Sequence, residues 1–194
     1  MTDSSRAASR DRFRLDGQIA VVTGACGKLG PIWIEALIDA GAQVAALELP
    51  GASASPAFRA VEQRTAGQVQ RFDCDVTNRQ SIVNAASVVS ERMGPVSILV
   101  NNAGVDQPPD SAGTRSRIEN LPMDQFHRML EVNLMGTFQV TQVFGSQMAD
   151  RGSGSVINLG SLYASVSPDQ RFYADMPDED HEAGLEGAAP ADTV

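Results

Sequence analysis

The sequence predicts an α/β fold, a doubly wound parallel sheet of about five strands in three layers, α/β/α. Three observations carry that prediction. Short apolar runs alternate with helix-length segments along most of the chain. Parallel neighbours need such long crossovers, whereas hairpins do not. The first run ends at a glycine-rich loop that opens into a helical pattern. Right-handed crossovers then put ligands at the carboxyl ends of the strands.

The elements follow in order. Ile19–Thr23 is a short apolar strand. Leu29–Ala40 has apolar residues at helical spacing (Leu29, Trp33, Ala36, Leu37, Ala40); Pro31 is tolerated in its first turn and Gly41 stops it. Gln43–Leu47 is a second strand, Pro56–Thr65 a weak helix, and Val69–Cys74 a third strand. Asn78–Met93 reads as a helix ended by Gly94-Pro95, and Val96–Val100 as a fourth strand. Residues 105–121, with Pro108-Pro109, form a loop. Pro122 opens a long helix through Ala149, with Phe126, Leu130, Leu134, Phe138, Thr141 and Met148 on or near one stripe. Gly152–Ser155 breaks the chain before a fifth strand, Val156–Leu159. Beyond Ser161 the periodicity fades. The expected organisation is an arm over 1–14, one domain over 15–165 and an irregular acidic tail over 166–194.

Charge narrows the function classes. The net charge is −9, from 24 acids and 15 bases. Residues 174–194 hold seven acids and no Lys or Arg, so the body is nearly neutral. Neither part has the basic stripe expected of a nucleic-acid or anionic-membrane partner. The polar start MTDSSRAASRDRFR lacks the apolar core of a signal peptide, and no apolar run approaches membrane-spanning length. Cys26 and Cys74 read as small buried thiols, which fits a reducing cytoplasm; no metal cluster is expected.

Between the first strand and helix stands Thr23-Gly24-Ala-Cys-Gly27-Lys-Leu-Gly30. Gly24 allows a tight turn, Gly27 lets backbone approach a pyrophosphate, and Gly30 allows close packing of the helix on the sheet. The helix start offers unpaired N–H groups and a positive dipole end. Glu48 falls at the end of strand two, where an acid accepts hydrogen bonds from adenosine ribose hydroxyls. It would repel a 2′-phosphate by roughly 1 to 4 kcal/mol at about 4 Å. NAD is therefore favoured over NADP, with Lys28 a nearby cation that offsets part of the repulsion.

Five landmarks now stand in order: TGACGKLG at 23–30, DVT at 75–77, NNAG at 101–104, VNLMGTF at 132–138 and GSVINLGS at 154–161. Together they resemble the short-chain dehydrogenase/reductase family over Leu15 to Ser161, which implies a Rossmann-like fold and NAD(P)-dependent hydride transfer with a carbonyl or alcohol. The resemblance implies that Asp75 contacts the adenine amino group with Val76 beside the ring. Asn102, Ala103 and Gly104 match the segment lining the cofactor ribose. Leu29 belongs to the phosphate loop with Gly24, Gly27 and Gly30. Asn133 matches the residue holding a relay water, and Ser161 the serine that hydrogen-bonds the substrate oxygen. The family is usually homo-oligomeric.

The chain departs from the pattern twice. Its loop runs TGxxGxxG, with Lys28 where glycine is usual; that spacing resembles the extended branch, whereas NNAG resembles the classical one. The family's acid/base is a tyrosine four residues before a lysine that lowers its pKa; at about pKa 10 an unassisted tyrosine is a poor base. Lys28 is the only lysine here, and Ser167 and Pro177 follow Tyr163 and Tyr173 at that spacing. Pro168, Pro177 and nearby acids make Tyr173 a loop aromatic. The resemblance stops near residues 180–182, which leads us to expect a truncated or frame-shifted product with catalysis impaired. Two alternatives stand beside this: a non-catalytic nucleotide-binding or regulatory module, and an adenosyl-binding methyltransferase-type sheet, against which NNAG and VNLMGTF speak.

Overall fold

A computed structural model of the chain describes residues 13–65, 67–105, 121–161 and 165. The expected arm, the 105–121 loop, Tyr163, Tyr173 and the acidic tail lie wholly or mostly outside those residues.

The strands are β1 (Ile19–Thr23), β2 (Gln43–Glu48), β3 (Val69–Asp73), β4 (Ile98–Asn101) and β5 (Ser155–Asn158). They form one sheet in the order β3-β2-β1-β4-β5, and every pair is parallel. The helices are α1 (Gly30–Asp39), α2 (Pro56–Arg64), α3 (Arg79–Arg92), α4 (Met123–Leu130) and α5 (Thr137–Asp150), with a π-helical segment Glu131–Gly136 joining the last two. The expected bounds shift by one or two residues: β2 extends through Glu48, and β4 starts at Ile98.

The central strand explains its own sequence. All five residues of β1 are buried, because helices cover both faces of the sheet. Ile19 and Val21 join one core with Leu99, Ile82 and Phe144, on the side of α3 and α5. Ala20 and Val22 join the other with Ile34, Phe58 and Val61, on the side of α1 and α2. Burying a side chain the size of Phe58 or Ile34 stabilises the fold by about 1.5–3 kcal/mol each.

Local chemistry sets the helix starts. Ser55 accepts a hydrogen bond from the Phe58 N–H and caps α2, so the weakly patterned Pro56 segment is a helix after all. Asn78 accepts from the Ser81 N–H and caps α3.

The long helix differs from expectation in two ways. It is interrupted by the π-helical turn, and its large-residue stripe faces outward. Phe126, Leu130, Leu134 and Phe138 are exposed, whereas Val132, Gly136, Val140, Val143, Phe144 and Met148 are buried. Only Met148 of the stripe reaches the core, and Thr141 is half-buried. The reason is close approach. A Cβ placed on Gly136 would stand 2.9 Å from Val76 Cγ2, in the segment after β3, so the row that holds Gly136 is the one that can approach there. Among the described residues, no helix is long and apolar enough to cross a membrane.

Candidate functional site

The sheet order reverses between β1 and β4, which opens a crevice at their carboxyl ends. Gly24 turns the chain there with φ +58°. A Cβ on Gly24 would lie 2.8 Å from the Ala103 Cα, so only glycine lets the two chain ends meet. Gly27 is less crowded: its Cβ would meet only the Gly24 carbonyl, at 3.5 Å. A Cβ on Gly30 would collide with the Ala25 backbone, so glycine lets the helix start pack closely on the loop that precedes it. Leu29 precedes α1 and is about half exposed. Pro31 stands in the first turn of α1, which holds no acid. In this first turn Pro31 has no N–H and the Ile32 N–H bonds the Leu29 carbonyl at 3.0 Å, which leaves the Gly30 N–H and the positive dipole end to face an anion.

Thr23 and Asn102 knit the ends of β1 and β4 together. Thr23 Oγ1 accepts from the N–H groups of Asn102 and Ala103, both at 3.0 Å. Asn102 Nδ2 donates to the carbonyls of Thr23 (3.0 Å) and Gly24 (2.9 Å). Its Oδ1 accepts from the Trp33 indole N–H at 3.0 Å. The Asn102 amide is thus spent on the loop, and the neighbouring Ala103 lines the crevice.

Glu48 is 2% exposed. Its Oε2 accepts from the Cys26 N–H at 2.8 Å, and its Oε1 from the Leu49 N–H at 3.0 Å. These two charge-assisted bonds fix the carboxylate between the glycine loop and the end of β2. Asp75 Oδ1 accepts from both the N–H and the hydroxyl of Thr77, at 2.9 and 2.7 Å, closing a tight turn. Both cysteines are buried and free, as expected of small core thiols. Burial, helped by the Glu48 charge, pushes the Cys26 thiol up to about 12. Burial, helped by Asp75, does the same for Cys74.

The crevice has a volume of about 240 Å³. Five of the residues singled out in the sequence line it together: Gly24, Glu48, Asp75, Val76 and Ala103. Cys74, read from the sequence as a buried thiol, joins them, as do Thr77 and Val132 from the DVT and VNLMGTF landmarks; Leu49, Val105, Arg128 and Glu131 were not anticipated. Arg128 and Glu131 share a helix face at i, i+3, adjacent to the VNLMGTF landmark, and that spacing is a usable signal. Trp33, also missed, is a part-buried indole whose N–H calls for an acceptor.

Asn133 and Ser161 lie outside the lining of that crevice. Asn133 sits in the π-helical turn and exchanges two hydrogen bonds with the backbone of Val105. A Cβ on Gly104 would lie 3.5 Å from Asn133 Oδ1, so the NNAG segment and the helix meet at this point. Ser161 stands three residues past β5, at the same carboxyl edge of the sheet.

Such a crevice, with a glycine turn, a bare helix start and an acid closing β2, defines a dinucleotide-binding α/β protein. Residues 18–174 match the short chain dehydrogenase family, and the chain belongs to that family. It is 34% identical over 170 residues to D-threitol dehydrogenase of Mycolicibacterium smegmatis, covering 88% of this chain and 62% of that protein. It is 32% identical to galactitol 2-dehydrogenase (L-tagatose-forming) of Cereibacter sphaeroides, covering 81% of this chain and 58% of the relative. Among solved structures it is similar to a gluconate 5-dehydrogenase from Burkholderia cenocepacia in complex with NADP and tartrate. The TM-score is 0.70 at 28% identity, covering 82% of this chain and 60% of that one. The chain therefore spans about three fifths of the length of these relatives.

Proposed function

We propose that this chain binds NAD in the crevice, as the cofactor part of an oxidoreductase that acts on a small polyhydroxylated alcohol or its carbonyl form. The observation that carries the reading is the convergence of Gly24, Glu48, Asp75, Val76 and Ala103 on one crevice at the carboxyl ends of the strands. The turn at Gly24 and Gly27 and the start of α1, with Leu29 and Gly30, receive the pyrophosphate. Glu48 takes the adenosine ribose hydroxyls, which favours NAD, although the gluconate 5-dehydrogenase structure holds NADP. Asp75 and Val76 flank the adenine, and Asn102, Ala103 and Gly104 form the wall beside the second ribose.

When bound, the nicotinamide supplies or accepts the hydride. Ser161 orients the substrate oxygen. Asn133 holds the relay water with the second amide N–H left after its pairing with Val105. The dehydrogenases of threitol and galactitol support the polyol class. The two buried free thiols support a reducing compartment such as the cytoplasm.

Calorimetric titration with NAD+ and with NADP+ tests the reading. Saturable binding with NAD+ the tighter ligand is expected, and binding of neither overturns it. A second reading, a nucleotide-binding module without turnover, is favoured by the residues after the two tyrosines: Ser167 and Pro177 stand where a lysine would follow Tyr163 and Tyr173. Oxidation of a polyol panel with NAD+ decides between them. Turnover that Ser161→Ala abolishes removes the second reading.

A further inference from the structure

We infer that Trp33 is a positioning residue for the nucleotide crevice, acting through Asn102; the inference rests on the NAD-binding reading above. The indole N–H is a donor only, and it reaches Asn102 Oδ1 at 3.0 Å across 69 residues of sequence. That contact fixes which end of the Asn102 amide faces which way. Nδ2 is then held toward the two carbonyls it serves, those of Thr23 and Gly24. Gly24 carries the positive-φ turn, and its backbone lies against Ala103, a crevice-lining residue.

Three pieces of chain meet at one side-chain amide: the first turns of α1, the end of β1 and the end of β4. Removing the indole N–H leaves the part-buried Oδ1 without its donor. The amide is then pinned from one side only, and the turn that faces the nucleotide loses its fixed shape. Preorganised sites bind more tightly because less ordering remains to be done on binding.

The test uses the whole chain in four forms: wild type, Trp33→Phe, Asn102→Ala and the double variant. NAD+ affinity is measured by calorimetry, with the melting temperature alongside. Trp33→Phe is expected to weaken NAD+ binding about fivefold, the loss of one hydrogen bond's net contribution. In the Asn102→Ala background the same change is expected to have no further effect. Unaltered affinity in Trp33→Phe overturns the inference. So does an equal loss in both backgrounds, since a merely structural indole weakens both alike.

Should the Asn102 variant not fold, Ile34→Val decides, a change at a fully buried residue of the same helix that does not touch Asn102. At a comparable loss of melting temperature, Trp33→Phe is expected to weaken NAD+ binding and Ile34→Val to leave it unaltered. Equal losses of affinity in the two variants overturn the inference. Wild-type protein that binds no NAD+ overturns instead the cofactor reading beneath it.

Discussion

The side-chain amide of Asn133 grips both polar backbone groups of Val105: Oδ1 accepts from the Val105 N–H, and Nδ2 donates to the Val105 carbonyl, each at 2.8 Å. The pair resembles one rung of a sheet ladder, made by a side chain. It occurs where the helix widens into the π-helical turn, and it ties that turn to the chain leaving β4. Asn133→Leu removes both partners of Val105. Both bonds lie at an exposed position, where water can replace the lost partner, so we expect a loss of about 1 kcal/mol in urea unfolding. Asn133→Asp keeps the acceptor but sets a carboxylate against the Val105 carbonyl, so it is expected to lose at least as much. Stability equal to wild type in both variants would show that the pairing contributes nothing.

Glycines in this chain divide by what surrounds them. Gly24 and Gly51 both have positive φ, +58° and +77°. A Cβ on Gly51 meets nothing within 4 Å, whereas one on Gly24 meets the Ala103 backbone at 2.8 Å. Gly51→Ala is therefore expected to cost only the strain of the left-handed region, about 1 kcal/mol. Gly24→Ala carries that strain plus a collision that backbone has to move to relieve. It is expected to lose well over twice as much stability, and NAD+ binding with it. Equal melting temperatures for the two variants would contradict the packing argument.

Glu48 holds two backbone N–H groups with its carboxylate. In Glu48→Gln the negative charge is gone, and the amide can accept from only one of those donors at a time. The ratio of NAD+ to NADP+ affinity is expected to fall at least about fivefold, the lower end of the Coulomb term. The melting temperature is expected to fall as well. A ratio that stays put would mean that Glu48 braces the loop and does not select the nucleotide.

Cys26 and Cys74 are raised from a thiol value of 9.0 to about 12, burial being the largest cause for each. The sign follows directly. Between pH 9 and 12 the unfolded thiols release protons that the folded ones keep, so unfolding is favoured as pH rises through that window. Stability is expected to be insensitive to these two groups below pH 9 and to decline above it, and less steeply in a Cys26→Ala, Cys74→Ala double variant. At pH 8 neither thiol is expected to react with an aromatic disulfide reagent until denaturant is added. Fast labelling of the native chain would refute their burial.

The two faces of the long helix make a paired prediction. Leu134 and Phe138 are each 60% exposed, whereas Val140 is fully buried. Leu134→Gln and Phe138→Gln are expected to change stability by less than about 0.5 kcal/mol each. Val140→Ala is expected to cost about 2 kcal/mol through the cavity it leaves. The reverse ranking in chemical denaturation would mean that the large-residue stripe faces the core.

Much of this protein is written locally. The alternation of apolar runs and helix-length segments determined the five parallel strands and their order of appearance, because period and crossover length are properties of neighbouring residues. The glycine turn, Glu48 at the end of β2 and the Asp75–Val76 pair were legible for the same reason, and the crevice brings them together. Tertiary structure decided the rest. The helix from Met123 carries two apolar rows, and hydrophobicity alone points to the larger one, Phe126 to Phe138. The core takes the other row, Val132 to Met148, in which Gly136 has no side chain to strike Val76. Asn102 and Asn133 look from their motifs like ligand-facing amides, yet their partners are Trp33, the Gly24 turn and Val105, most of them far away in sequence. A side-chain amide offers two donors and an acceptor wherever it is placed. Which groups take them depends on what folding delivers within about 3 Å, a distance that sequence spacing does not set.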